Sequence, residues 1–265
     1  FNSQTLISGN LSRRVYSNYE GVNQIEVSDN FVAGNYGITI TQDARQAIVV
    51  GNGAVTMSDT ATVTKEQAGT MSMNGYGIEI SEGDTLAGIM GKLVDGADKI
   101  GGRVFAITAG ATNDTKVNGT DYAGYEPQTS YAGNNIVFMT KESGSSKTMN
   151  ITCSNAELAN MLGIATAATN SGMYAEGSDV QAEFTLDNDG KRVGFADSAV
   201  ISTSGTRVTV KDVNNRTFVT DVPSNVAGTQ FSDTVKADDK STATSTQTAK
   251  VTQEVTDVGT MSVHV

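Results

Sequence analysis

Helical spacing occurs in only two stretches of this chain, and nearly everything else alternates in twos between short polar turns. That restricts the fold to sheets joined by turns, with little helix to cover them. Of the 265 residues, 38% are hydrophobic and 18% charged, with 28 glycines, two prolines and no tryptophan. Gly, Ser, Thr and Asn make up the difference. A chain of this length and make-up is expected to share thin cores among about two or three small domains.

The first helical stretch has Leu86, Ile89, Met90, Leu93, Val94, Ala97 and Ile100 on one stripe, with Asp84 as its expected cap and Gly101-Gly102 as its stop. The second is short. Ser154-Asn-Ala-Glu157 has the form of a capping box, Leu158, Met161 and Leu162 follow, and Gly163 ends it. Strand-like runs surround the helices at Tyr76–Ile80, Arg103–Thr108, Asn135–Thr140 and Thr148–Thr152. The last two are expected to pair through Glu142–Ser146. The result is a β-α-β-β-β-α block, a small sheet with both helices on one face.

The flanks read as β only. Tyr36–Thr41 and Ala47–Val50 look like strands joined near Asp43, and Ala54–Thr64 alternates again. Further on, Val180–Leu186, Val200–Thr203, Arg207–Val210 and Arg216–Val219 are separated by turns at Asp187–Gly190, Ser204-Gly205 and Asn214-Asn215. The polar tail Asp233–Thr248 reads as a loop before a last strand at Val258–Val265. The fold class expected is mainly β, antiparallel, with an inserted α+β domain and two short helices. The expected domains are root strands in 1–20 with 251–265, a β-rich outer domain in 21–69 with 175–250, and the inserted domain in 70–174. Both ends look like strands without a closing turn, as in a piece of a longer chain.

The net charge of −11 repels phosphate backbones, so nucleic acid is not an expected partner, and a soluble monomer is expected for the chain alone. No run approaches the roughly 18 apolar residues a membrane helix needs. Catalytic and metal sites are not expected. The lone His264 sits in the last strand and reads as a strand-face residue rather than a general base. The lone Cys153 reads as a small buried apolar residue, and no HExxH or CxxC pattern exists. Asp187-Asn-Asp-Gly-Lys191 opens like a calcium loop but lacks the later bidentate Glu, so a hairpin turn is expected. Gly144-Ser-Ser-Lys-Thr148 ends like a phosphate loop but joins two strands. Asn-x-Ser/Thr triplets at Asn113, Asn118, Asn150 and Asn215 arise by chance in so Asn- and Thr-rich a chain. Tyr122, Tyr125 and Tyr131 cluster in a Gly-rich loop, as loop anchors or as a sugar-stacking patch. No enzyme and no cofactor is expected.

Several segments resemble bacterial flagellin. Phe1-Asn-Ser-Gln-Thr-Leu-Ile-Ser-Gly9 is similar to the segment after flagellin's first long helices, and Gly259-Thr-Met-Ser-Val-His-Val265 to the strand that leads back into its C-terminal helices. Gly77-Ile-Glu-Ile-Ser-Glu-Gly-Asp-Thr-Leu-Ala-Gly-Ile-Met90 resembles the flagellin IN motif, which recurs in filament cap and hook-associated proteins. Asn135–Ile164 is similar to the second half of that motif, and Ala199–Val210 to an outer-domain strand pair. The two end segments are the more specific. The long heptad helices of flagellin's filament core are not in this sequence.

The resemblance implies the central, solvent-exposed region of a flagellin, made of outer D2/D3-type domains. The implied role is structural: covering an extracellular filament, setting its lateral contacts and antigenicity, and serving motility. Partners would be other flagellin subunits, through helices outside this sequence, and host receptors or antibodies. The alternatives are a cap or hook-associated protein fragment, or an adhesive, sugar-binding module.

Overall fold

The computed structural model describes residues 13–17, 25–28, 34–108, 130–164, 173–222, 233–237 and 259–264, with 13–17, 233–237 and 259–264 as backbone only. Among these residues the fold is mainly antiparallel β with two short helices. The chain divides into two compact units: unit 1 is Phe1–Asp43 with Asp179–Val265, and unit 2 is Ala44–Ser178. The sequence places the inner boundaries instead at 70 and 174.

Unit 1 has a five-stranded and a four-stranded sheet. The first runs β1 (Arg13–Ser17), β15 (Asp233–Ala237), β16 (Gly259–His264), β3 (Gly34–Gln42), β11 (Gln181–Phe184). The second runs β12 (Val200–Ser204), β13 (Arg207–Lys211), β14 (Thr217–Asp221), β2 (Ile25–Val27). Period-two patterning places Ile38 and Ile40 of β3 and Val208, Val210 and Phe218 of the second sheet in the interior. Phe195, in the loop after β11, joins the two sheets: its ring lies 5.0 Å from Tyr36, 5.2 Å from Phe184 and 6.3 Å from Phe218. Arg192 stacks over Phe184 at 4.0 Å and donates to the carbonyls of Ala196 and Ala199, which fixes that loop.

Unit 2 also has two sheets. The four-stranded one runs β10 (Met173–Glu176), β9 (Thr148–Cys153), β5 (Gly69–Met73), β6 (Tyr76–Ile80). The three-stranded one runs β4 (Gln46–Val50), β8 (Asn134–Ser143), β7 (Gly102–Thr108). Helices α1 (Leu86–Lys99) and α2 (Ala156–Met161) contribute to the core between them. That core takes Met71, Met73, Ile78, Ile80, Met149 and Ile151 from one sheet and Ala47, Val49, Val104, Ile136 and Phe138 from the other. Leu86, Ile89, Met90, Leu93 and Ala97 of α1 complete it, with Ile100 packed against it, while Val94, expected on the same stripe, is exposed. The three-stranded sheet is apolar on its opposite face too, through Ile48, Val50, Ile107, Val137 and Met139. Where the chain enters and leaves unit 2, Arg45 and Ser178 form an antiparallel bridge.

The hairpins β12–β13 and β13–β14 form as expected, with turns at Gly205 (φ 59°) and Asn215 (φ 60°). Several other expectations are corrected. Strands β8 and β9 do not pair; they belong to different sheets. Phe138 and Ile151 must both reach one core from opposite sides, so the chain crosses between sheets at Gly144, whose N–H binds the Arg45 carbonyl. Strands β3 and β4 are joined near Asp43 as expected and lie in separate sheets.

Ala54–Thr64 is not a strand. Its alternating Val55, Met57 and Val63 are buried, but its backbone bonds scatter to Asn134, Met161 and Asp84, so it seals the core as a loop. Part of the tail expected as loop forms β15, and strands β2, β5 and β10 were not foreseen. The N-cap of α1 is Thr85, whose hydroxyl accepts from Gly88 N–H, not Asp84; that of α2 is Asn155, not Ser154.

Candidate functional site

The IN-like segment Gly77–Met90 lies within a strand–turn–strand–helix unit that spans 69–99. Strands β5 and β6 join through Asn74-Gly75, both at positive φ (49° and 84°), as the right-handed twist of a two-residue hairpin requires. The Asn74 side chain acts as a piece of strand. Its Nδ2 donates to the Thr148 carbonyl and its Oδ1 accepts from Asn150 N–H, each at 2.7 Å, tying the hairpin to β9. The Asn-Gly pair between alternating runs was the signal available for this turn.

After β6, Asp84 folds the chain into α1. Its Oδ2 accepts from Ser81 N–H at 2.7 Å and from Lys92 Nζ at 2.5 Å, and Lys92 also binds the Glu79 carbonyl at 3.0 Å. One lysine on the helix thus clamps both the end of β6 and the turn after it. Burial pushes the Asp84 pKa up, but the hydrogen bonds from Lys92 and Ser81 and the Lys92 charge outweigh it, and the carboxyl sits below its usual range.

The second half of the motif locks to β5, the strand that pairs with the first half, and to the residues before it. Ser154 Oγ accepts from Thr70 N–H at 2.8 Å, and Asn155 Nδ2 donates to the carbonyls of Glu66 and Ala68. The same Asn155 caps α2 through Oδ1, to Glu157 and Leu158 N–H. Cys153, half-buried beside it, donates to the Asn155 carbonyl at 3.2 Å; burial pushes its thiol pKa up, which disfavours the nucleophilic thiolate.

The remaining candidates are not brought together. Asp187 Oδ1 accepts from Asp189 and Lys191 N–H, so the Asp187–Lys191 segment is a closed turn. Residues 144–148 link the two sheets of unit 2, with Gly144 at φ 136°. Asn150 lies exposed on β9 and Asn215 in a hairpin turn, while Asn113 and Asn118 lie outside the described residues. Tyr131 packs against the unit 2 core as a loop anchor; Tyr122 and Tyr125 lie outside the described residues, as does Phe1–Gly9. The backbone of His264 pairs with Thr234 and Tyr16. A cavity lined by Tyr36, Phe195, Val210, Asp212 and Arg216 holds no more than about one water. Among the described residues no cluster of three or more His, Cys, Asp or Glu could hold a metal ion. No helix there is long and apolar enough to cross a membrane.

No family model matches the chain, and no curated protein matches it. Similar solved structures exist. The D2–D3 domains of the flagellar cap protein FliD from Escherichia coli share 16% identity over 86% of this chain and 99% of that one, with a TM-score of 0.49. The same domains from Serratia marcescens share 12% over 77% and 94%, at 0.43. FliD from Pseudomonas aeruginosa shares 14% over 84% and 87%, at 0.44.

Proposed function

We propose that this chain is the outer, non-polymerising part of an extracellular flagellar protein, with a filament cap protein placed ahead of a filament subunit. The observation that carries the reading is the IN-like segment. Its strand, turn and helix fold as one unit, and its second half, 135–164, bonds through Ser154 and Asn155 to Thr70, Glu66 and Ala68, at and just before the strand that pairs with it. This motif is common to flagellin and to cap and hook-associated proteins, so it supports the flagellar class without choosing within it. Of the flagellin-like end segments, Phe1–Gly9 lies outside the described residues. The cap name comes from the proteins of similar fold, which are described as flagellar cap proteins.

The role is structural rather than catalytic. A surface of net charge −11 stays hydrated and repels its like, which suits a module displayed outward and keeps the dilute chain monomeric. Polymerisation would fall to helices outside this sequence. Immunogold microscopy of the source cells with antibodies to this chain tests the reading. Label confined to the filament tip is the expected result. Label along the filament would make it a flagellin, and label on no flagellar structure would overturn the proposal.

A further inference from the structure

Among the described residues four sheets present eight outer strands, and seven of them carry a feature that discourages pairing with another chain. Strand β1 has Arg13 and Arg14 in sequence, and β2 is only three residues long with Glu26 at its centre. Strands β4 and β11 are broken by register shifts. Strands β7 and β10 carry Arg103 and Glu176, and β6 carries Glu79, whose carbonyl is already taken by Lys92. Strand β12 has none of these. Its five residues, Val200-Ile-Ser-Thr-Ser204, include no charge, no proline and no bulge.

One face of β12 is exposed, and β13 is its only strand partner among the described residues. Val200 is 64% exposed, and Ser202 and Ser204 are exposed. The strand is also rigidly presented. Val180 N–H donates to the Gly205 carbonyl and Asp179 Oδ1 accepts from Gly205 N–H, which pins the turn at its end.

We infer that β12 is a self-pairing edge: two copies of this chain join antiparallel through it, making one continuous sheet across a two-fold axis at Ser202. Self-complementarity favours a second copy over a foreign strand. In that register Ser202 meets Ser202, Val200 meets Ser204 and Ile201 meets Thr203, so no like charges oppose and the faces match. The rest of the acidic surface resists approach, so the pairing emerges at high protein concentration and strengthens with salt. Display at high local density, as on an assembled filament tip, would favour it; the inference itself does not depend on the flagellar reading.

The test is sedimentation of the whole chain against concentration, at low and high salt, with Ser202→Lys and Ser202→Asp. Expected is a monomer–dimer equilibrium that either substitution abolishes, because like charges then face across the axis. An equimolar mixture of the two variants should restore the dimer. A monomer at every concentration, dimers in both variants, or no recovery on mixing would overturn the inference. Should a variant fail to fold, amide exchange in the unsubstituted chain decides. Slowing at residues 200–204 on concentration supports the edge, and unchanged exchange refutes it.

Discussion

At the scale of single residues, side chains that stand in for backbone carry much of unit 2. Asn74 makes two hydrogen bonds to β9 that no other turn residue could make together, and its positive φ suits asparagine. Asn74→Ala should therefore cost about 2 kcal/mol in urea unfolding, since it removes both bonds and leaves β9 groups unpaired. Two glycines make an opposed pair. Gly163 has φ 65°, and a Cβ there would lie 2.1 Å from the Gly53 carbonyl oxygen, whereas a Cβ on Gly91 in α1 meets nothing. Gly163→Ala should lower stability by about 3 kcal/mol or more, while Gly91→Ala should raise it by up to about 1 kcal/mol. Equal effects of the two in thermal unfolding would contradict this account.

Acid sensitivity belongs at the same scale. The Asp212 carboxylate accepts from Asn214 and Arg216 N–H and pairs with the Arg216 guanidinium at 2.5 Å; burial raises its pKa, but these bonds more than offset it and hold it low. Asp84 is held low in the same way. A carboxyl with a folded pKa below its unfolded one stabilises the fold above the unfolded value. That contribution is lost as pH falls from about 4 through the folded pKa. Unfolding free energy measured from neutral pH downward should drop in that window. Asp84→Asn and Asp212→Asn should each be less stable at neutral pH and flatter across it.

At the scale of elements, legibility followed the range of the information. Helix α1 was readable because its stripe is internal to one segment, and Leu93, fully buried, sits at its middle. Leu93→Ala should cost about 2–5 kcal/mol in denaturant unfolding. The β12–β13–β14 meander was readable for the same reason, its turn residues lying between adjacent strands. Partners distant in sequence were not readable. Phe138 and Ile151 are both apolar strand residues on either side of a short turn, and nothing local says they face one core from opposite sheets. Residues 54–64 misled by period alone, since Val55, Met57 and Val63 are buried while the backbone bonds go to scattered partners rather than along one strand. The candidate site was half legible: the motif stood out, but its clamp, Lys92 to Glu79 and Asp84, spans strand, turn and helix and needs the fold to be seen.

At the scale of the molecule, unit 2 has its own core and its ends are bridged at Arg45 and Ser178. Residues 44–178 expressed alone should keep native amide dispersion in nuclear magnetic resonance and a cooperative melt; a collapsed spectrum would show that its core depends on unit 1.

That bridge has a consequence for descent and for engineering. Seen from unit 1, unit 2 is a loop whose two ends already touch, so the entropy of closing it hardly depends on what fills it. Natural drift can lengthen, shorten or exchange that filling while the host sheet keeps its register. A foreign epitope or binding domain with adjacent termini can be grafted between Asp43 and Asp179 on the same terms.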